Sequence, residues 1–78
     1  MNWRDHIEVD PDVLAGKPVV RGTRLSVEFV LGLFAQGWTP EQVLDNYPTL
    51  RPADLQAVFA FSAECIHDEQ FFAKSLAA

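Results

Sequence analysis

Lys17, Arg21 and Arg24 fall within eight positions of one run, Gly16-Lys17-Pro18-Val19-Val20-Arg21-Gly22-Thr23-Arg24-Leu25, and no acid interrupts them. Half of the six basic residues thus stand together in a chain whose formal net charge is −5. Two glycines and a proline place these cations on turned, extended backbone and not on a helix. Such a cluster, with the Thr23 hydroxyl beside it, suits phosphate oxygens or a carboxylate-rich protein pocket. Solvation of an edge hairpin is the plainer alternative.

Catalytic constellations are weak. His6 and His67 are far apart in sequence, and Cys65 and His67 point to different sides of a helix. Glu64-Cys65-Ile66-His67 has the spacing of half a di-iron site, but no second copy follows. Gly16-Lys17 lacks the preceding glycine of a phosphate-binding loop and runs into Pro18. No nucleophile–base pair, metal site or cofactor site can be named, so the chain reads as a non-enzyme.

With 78 residues the chain predicts a single domain, spanning 1–78. A domain of this size buries only about 60–65% of its unfolded surface. The first residues carry no apolar run and no window approaches a membrane span, which predicts neither a leader nor a membrane anchor. One cysteine excludes an internal disulfide and suits a reducing cytoplasm. Charge is uneven: residues 1–24 balance, whereas 25–78 hold Arg51 and Lys74 against seven acids. A nucleic-acid reader normally shows the opposite balance. Any DNA contact must use the N-terminal part, or be helped by a partner.

Residues 1–25 read as extended. Ile7-Glu8-Val9 alternates like a strand, Asp10-Pro11 opens a turn that Gly16 closes, and Lys17–Val20 forms a second, edge strand. A small sheet of two or three strands follows. From Ser26 to about residue 67 the period is helical. Ser26 caps a first helix with the stripe Val27, Val30, Leu31 and Phe34, and Gly37 ends it. Trp38-Thr39-Pro40-Glu41-Gln42 predicts a capping box, with Pro40 at the first helical position. Asn46-Tyr47-Pro48 stops that short helix. A third starts at Pro52 and reaches Ile66 or beyond, with Leu55, Val58, Phe59, Ser62 and Ile66 as its core stripe.

Ala57, Phe61 and Cys65 make a second apolar line on that last helix, and Phe29 and Leu33 lie off the main stripe of the first. Helices apolar nearly all round are buried on more than one side. So short a chain cannot supply that burial alone, which predicts a homo-oligomer closed through Ala57, Phe61 and Cys65, or an obligate partner.

Three helices with a sharply capped middle one predict a mostly α fold. Its core is a three-helix, homeodomain-like or winged-helix (helix-turn-helix) unit with a small N-terminal β-hairpin or sheet. The recognition helix would expose Arg51, Asp54, Gln56 and Ala57, a poor base-reading surface. Lys17, Arg21, Thr23 and Arg24 suit backbone contact better.

The Gly-Lys-Pro-Val-Val-Arg-Gly-Thr-Arg run, followed by a helix, then Gly37-Trp38-Thr39-Pro40-Glu41-Gln42-Val43-Leu44, Tyr47-Pro48 and Asp54 with Ala57, resembles the domain-of-unknown-function family four-three-three over about residues 5–66. Those small bacterial proteins are regarded as VapB-type antitoxins. The resemblance implies a homeodomain-like or winged-helix fold, a PIN-like nuclease toxin as partner, and binding to the operon's own promoter. Members usually place Thr or Ser before the proline that opens the last helix. Here Arg51 takes that slot, leaving Thr49 as the substitute cap and a cation where the macrodipole disfavours it.

The expected function is that of an antitoxin that covers a nuclease and represses its own operon. A self-associating helical adaptor or transcription regulator without a toxin is the alternative. Residues 68–78 form a tail whose Phe71, Phe72 and Leu76 would grip the toxin, as the resemblance implies.

Overall fold

In the computed structural model, residues 2–68 are described, and they run from a hairpin into three helices. The tail residues Phe71, Phe72 and Leu76 lie outside that range. Strands β1 (Ile7–Val9) and β2 (Pro18–Val20) pair antiparallel, with Ile7 opposite Val20 and Val9 opposite Pro18. A single bridge from Val19 to Ser26 replaces the possible third strand. Pro18 stands at the start of β2, where its missing N–H costs no ladder bond.

Helix α1 covers Val27–Ala35, α2 Pro40–Asn46 and α3 Pro52–Asp68. Their ends follow the local chemistry that the sequence announces. The Ser26 hydroxyl accepts from the Phe29 N–H at 2.9 Å. Thr39 and Gln42 form the full capping box, with Pro40 at the first position. At the end of α1, Gly37 takes φ +93°. The Gly37 N–H donates to Phe34 O and the Trp38 N–H to Leu33 O, both orphan carbonyls of the last turn. A side chain at residue 37 would meet the left-handed penalty that glycine avoids.

The core is built of small aliphatic side chains: Ile7 and Val20 from the hairpin, Val27, Val30 and Leu33 from α1, Val43 from α2, Leu50 from the loop after it, and Leu55, Ala57 and Val58 from the start of α3. Two parts of the expected helix faces are corrected here. Leu33 belongs to the core, while Leu31 and Phe34 stay partly exposed. On α3, Ala57 is fully buried, and Phe59 and Ile66 are 46% and 69% exposed. The hairpin, α1 and α2 all pack on α3, with α1 also against β2, and the buried arc of α3 is centred on residues 54, 55, 57 and 58. A helix apolar nearly all round does not reveal that centre.

Asp54 is the buried charge at this junction, 2% exposed. Its Oδ1 accepts from His6 Nδ1 at 2.9 Å and its Oδ2 from the Arg51 N–H at 2.9 Å. The second bond caps α3 from its own first turn, the acidic half of a capping box, in place of the expected Thr49. The first ties the entry of β1 to α3. No helix of the described residues is long and apolar enough to cross a membrane.

Replacing Asp54 with Ala removes both bonds and strands two donors. The expected loss of unfolding free energy is about 2–4 kcal/mol, the range for hydrogen-bonded buried charges. His6→Ala should cost less, since the cap survives. Urea unfolding of the two single variants and the double variant checks this, and their coupling should be non-additive.

Candidate functional site

The cationic loop is assembled by the hairpin register, which sets the end of β2 beside β1. Arg21 Nη1 lies 3.2 Å from Glu8 Oε2, and its Nη2 donates to the Arg4 carbonyl at 3.3 Å. Lys17 Nζ lies 3.6 Å from Glu28 Oε1 on α1. Thr23 donates its hydroxyl proton to Val20 O at 2.8 Å and accepts from the Leu25 N–H at 3.0 Å, so its oxygen is consumed by the turn. Two of the three cations are therefore matched by acids that linear spacing keeps apart. Arg24 lines a recess of about 300 Å³ with Glu8, Asp12, Val13, Leu14 and Thr23. The turn before β2 carries three successive left-handed residues, Leu14, Ala15 and Gly16, at φ 47°, 57° and 83°. Only the last is a glycine, so the turn stores strain at Leu14 and Ala15.

The expected reading surface of α3 does not form. Asp54 and Ala57 are buried, which leaves exposed Arg51 and Gln56. Arg51 Nε lies 3.7 Å from Asp54 Oδ2 with its side chain mostly in solvent.

The oligomer line is divided in the same way. Ala57 faces the core and is withdrawn from any interface. Phe61 is half covered by Trp3, whose ring meets it edge-on at 4.8 Å. Cys65 is an exposed free thiol. Phe61, Cys65 and Ile66 on α3, Val27 and Leu31 on α1, and Pro18 on β2 enclose an open groove of about 370 Å³. Its two polar walls are already engaged: the Ser62 hydroxyl donates to Val58 O, and Glu28 pairs with Lys17.

Beside the groove, the Trp3 indole N–H donates to Glu64 Oε2, and Arg4 Nη2 lies 3.5 Å from Glu64 Oε1 while its guanidinium stacks over the Trp3 ring. The Trp3 hydrogen bond, helped by Arg4, holds the Glu64 carboxyl below the usual glutamate range. Among the described residues no three His, Cys, Asp or Glu side chains converge where a metal ion could sit.

The sequence assigns no site role to Trp3 or Glu28. His6, Glu8 and Glu64, weighed there only as catalytic, strand or metal-spacing residues, prove to be partners of Asp54, Arg21 and the Trp3–Arg4 pair. Glu8 was recoverable from the hairpin pairing. His6 with Asp54 and Trp3 with Glu64 are separated by 48 and 61 positions and leave no local signal.

A family model described as protein of unknown function (DUF433) matches residues 7–62. A DUF433 member protein from Anabaena variabilis, solved by crystallography, is similar in structure with a TM-score of 0.75 and 25% sequence identity, over 96% of this chain and 71% of that one. An uncharacterized protein of Sinorhizobium fredii, y4eO, is 43% identical over 47 residues, 60% of this chain. The chain spans only 21% of that curated relative's length.

Two measurements check this local chemistry. Ala15→Gly relieves a left-handed alanine and should raise stability by up to about 1 kcal/mol after the added chain entropy of glycine. Because the folded Glu64 carboxyl is more acidic than in the unfolded chain, its bond to Trp3 supports the fold above the unfolded value and is lost as pH falls through the folded one. In a Trp38→Phe background, Trp3 fluorescence should therefore change below the ordinary glutamate range, and Glu64→Gln should abolish that transition.

Proposed function

The chain belongs to the DUF433 family, and from that premise we propose that it is a protein-binding antitoxin of a type II pair, covering a PIN-like nuclease through the apolar groove beside α3. One observation carries this reading: among the described residues the groove is walled mainly by hydrocarbon, with the Ser62 hydroxyl bonded within its helix, Glu28 in an exposed pair with Lys17, and the Cys65 thiol free. Catalytic chemistry needs several convergent polar groups, whereas these walls are lined chiefly by hydrocarbon. What they offer is dehydration of apolar surface, worth roughly 25 cal/mol per Å² covered. Phe29 and Phe59, at 42% and 46% exposure, are further exposed apolar surface, outside the groove.

Operator binding belongs to the same proposal in a restricted form. Lys17 and Arg21 must first leave Glu28 and Glu8, so their net attraction for phosphate is small in the isolated protomer. The chain as a whole repels a polyanion. DNA contact through Arg21, Arg24 and Arg51 is then a property of the complex, with the partner supplying further charge.

The reading is tested by co-expressing the protein with the product of the neighbouring gene and separating the mixture by size exclusion. The expected outcome is a stable complex with suppressed nuclease activity. Ile66→Glu, which puts a charge on an exposed groove wall and spares the core, should break that complex while leaving the helical circular dichroism unchanged. Separate elution of the two wild-type proteins, or a complex indifferent to Ile66→Glu, rules the reading out.

A further inference from the structure

We infer that the groove between α1, α3 and β2 takes an amphipathic helix whose apolar stripe is flanked by lysine or arginine. The inference rests on the partner-binding reading above and names the chemistry of the partner segment. Two observations carry it, one about hydrogen bonding and one about charge.

An extended peptide brings unpaired N–H and C=O groups and needs a sheet edge or polar walls to satisfy them. This groove has neither to give. Pro18, the β2 residue on its wall, has no N–H, and β2 is already paired to β1 on one side and bridged to Ser26 on the other. The Ser62 hydroxyl is bound within its own helix. A helix satisfies its own backbone and presents side chains at i, i+3, i+4 and i+7, so it can enter hydrocarbon walls without stranding a polar group.

The charge at the lips then selects the helix. Glu28 lines the groove on the α1 side with its side chain 79% exposed, and Glu64, one residue before the lining Cys65 on α3 and engaged by Trp3 and Arg4, is 45% exposed. Their present partners, Lys17 and Arg4, are held in solvent-exposed pairs at 3.6 and 3.5 Å. Exposed pairs of that kind contribute at most about 1 kcal/mol, so an incoming cation displaces them cheaply. Residues 25–78 carry a net charge of −5, which draws a basic segment in and repels a second copy of this chain.

The test uses the full chain and two labelled helical peptides of about 14 residues, roughly four turns. Both carry the same leucine stripe; one is flanked by lysine, the other by glutamate. Fluorescence anisotropy at low salt should show the lysine peptide binding about tenfold or more tightly than the glutamate peptide, with the preference fading as salt screens it. Ile66→Glu should weaken the lysine peptide about tenfold although it makes the protein more acidic, an outcome that charge adhesion alone would reverse. Glu28→Lys should erase the preference between the peptides.

A lysine peptide indifferent to Ile66→Glu reports surface adhesion and overturns the inference. Equal binding of both peptides overturns the basic partner. A dimer in light scattering that Ile66→Glu dissociates and that excludes the peptide assigns the groove to a second copy instead. If neither peptide binds while the neighbouring gene product still co-elutes, the helical partner fails and the antitoxin reading stands.

Discussion

Asp54 holds its carboxylate in a nearly dry position, and it is tolerated there because each oxygen has a donor: His6 Nδ1 on one side and the Arg51 N–H on the other. A buried carboxylate lacking such donors would cost several kcal/mol, comparable to the whole stability of a domain this small. The same side chain therefore starts α3 and fastens the N-terminal segment against it. Once His6 is fixed, Trp3 and Arg4 are drawn onto α3 as well, where they cover one side of Phe61 and engage Glu64. The groove is what remains uncovered on the other side. Its position thus follows from a hydrogen bond made at the opposite end of the helix.

The core and the surface divide the apolar residues by shape. Everything fully buried is Ile, Val, Leu or Ala, apart from Asp54. None of the seven aromatic side chains among the described residues is fully buried. They form a rim of edge-on and tilted pairs, Trp3 with Phe61, Phe29 with Tyr47, and Phe34 with Phe59. The valines fill the interior, and the aromatic rings pack around its margin. Aromatic area left at the rim of a small acidic domain is suited to contact with another protein, where rigid rings contribute large area at low entropy cost.

The cationic run acquires a different meaning once folded. In sequence it is an acid-free block, and the fold answers Arg21 with Glu8 and Lys17 with Glu28. These exposed pairs contribute little to stability. Their larger effect is on recognition, because they offset much of the positive field that a polyanion would seek, and Glu28, the acid of the Lys17 pair, stands on the wall of the groove.

The chain by itself determined the element boundaries. Ser26, Thr39 with Pro40 and Gln42, and Gly37 act on backbone groups within four residues, so their effect is the same in any tertiary setting. The Ile7-Glu8-Val9 alternation and the edge position of Pro18 were legible for the same reason, and together these features foretold three helices behind a hairpin. Only the tertiary structure decided which faces those helices bury. On α3 nearly every face is apolar, so the direction of burial depends on where the hairpin docks. His6 and Asp54, far apart along the chain, tie the hairpin's entry to that helix, and Ile7 and Val20 share its core. This is why Ala57 went inward, Ile66 stayed out, and Thr49 was displaced as the cap by Asp54. The groove shares that origin, since its walls come from β2, α1 and α3 and exist only after the three have packed.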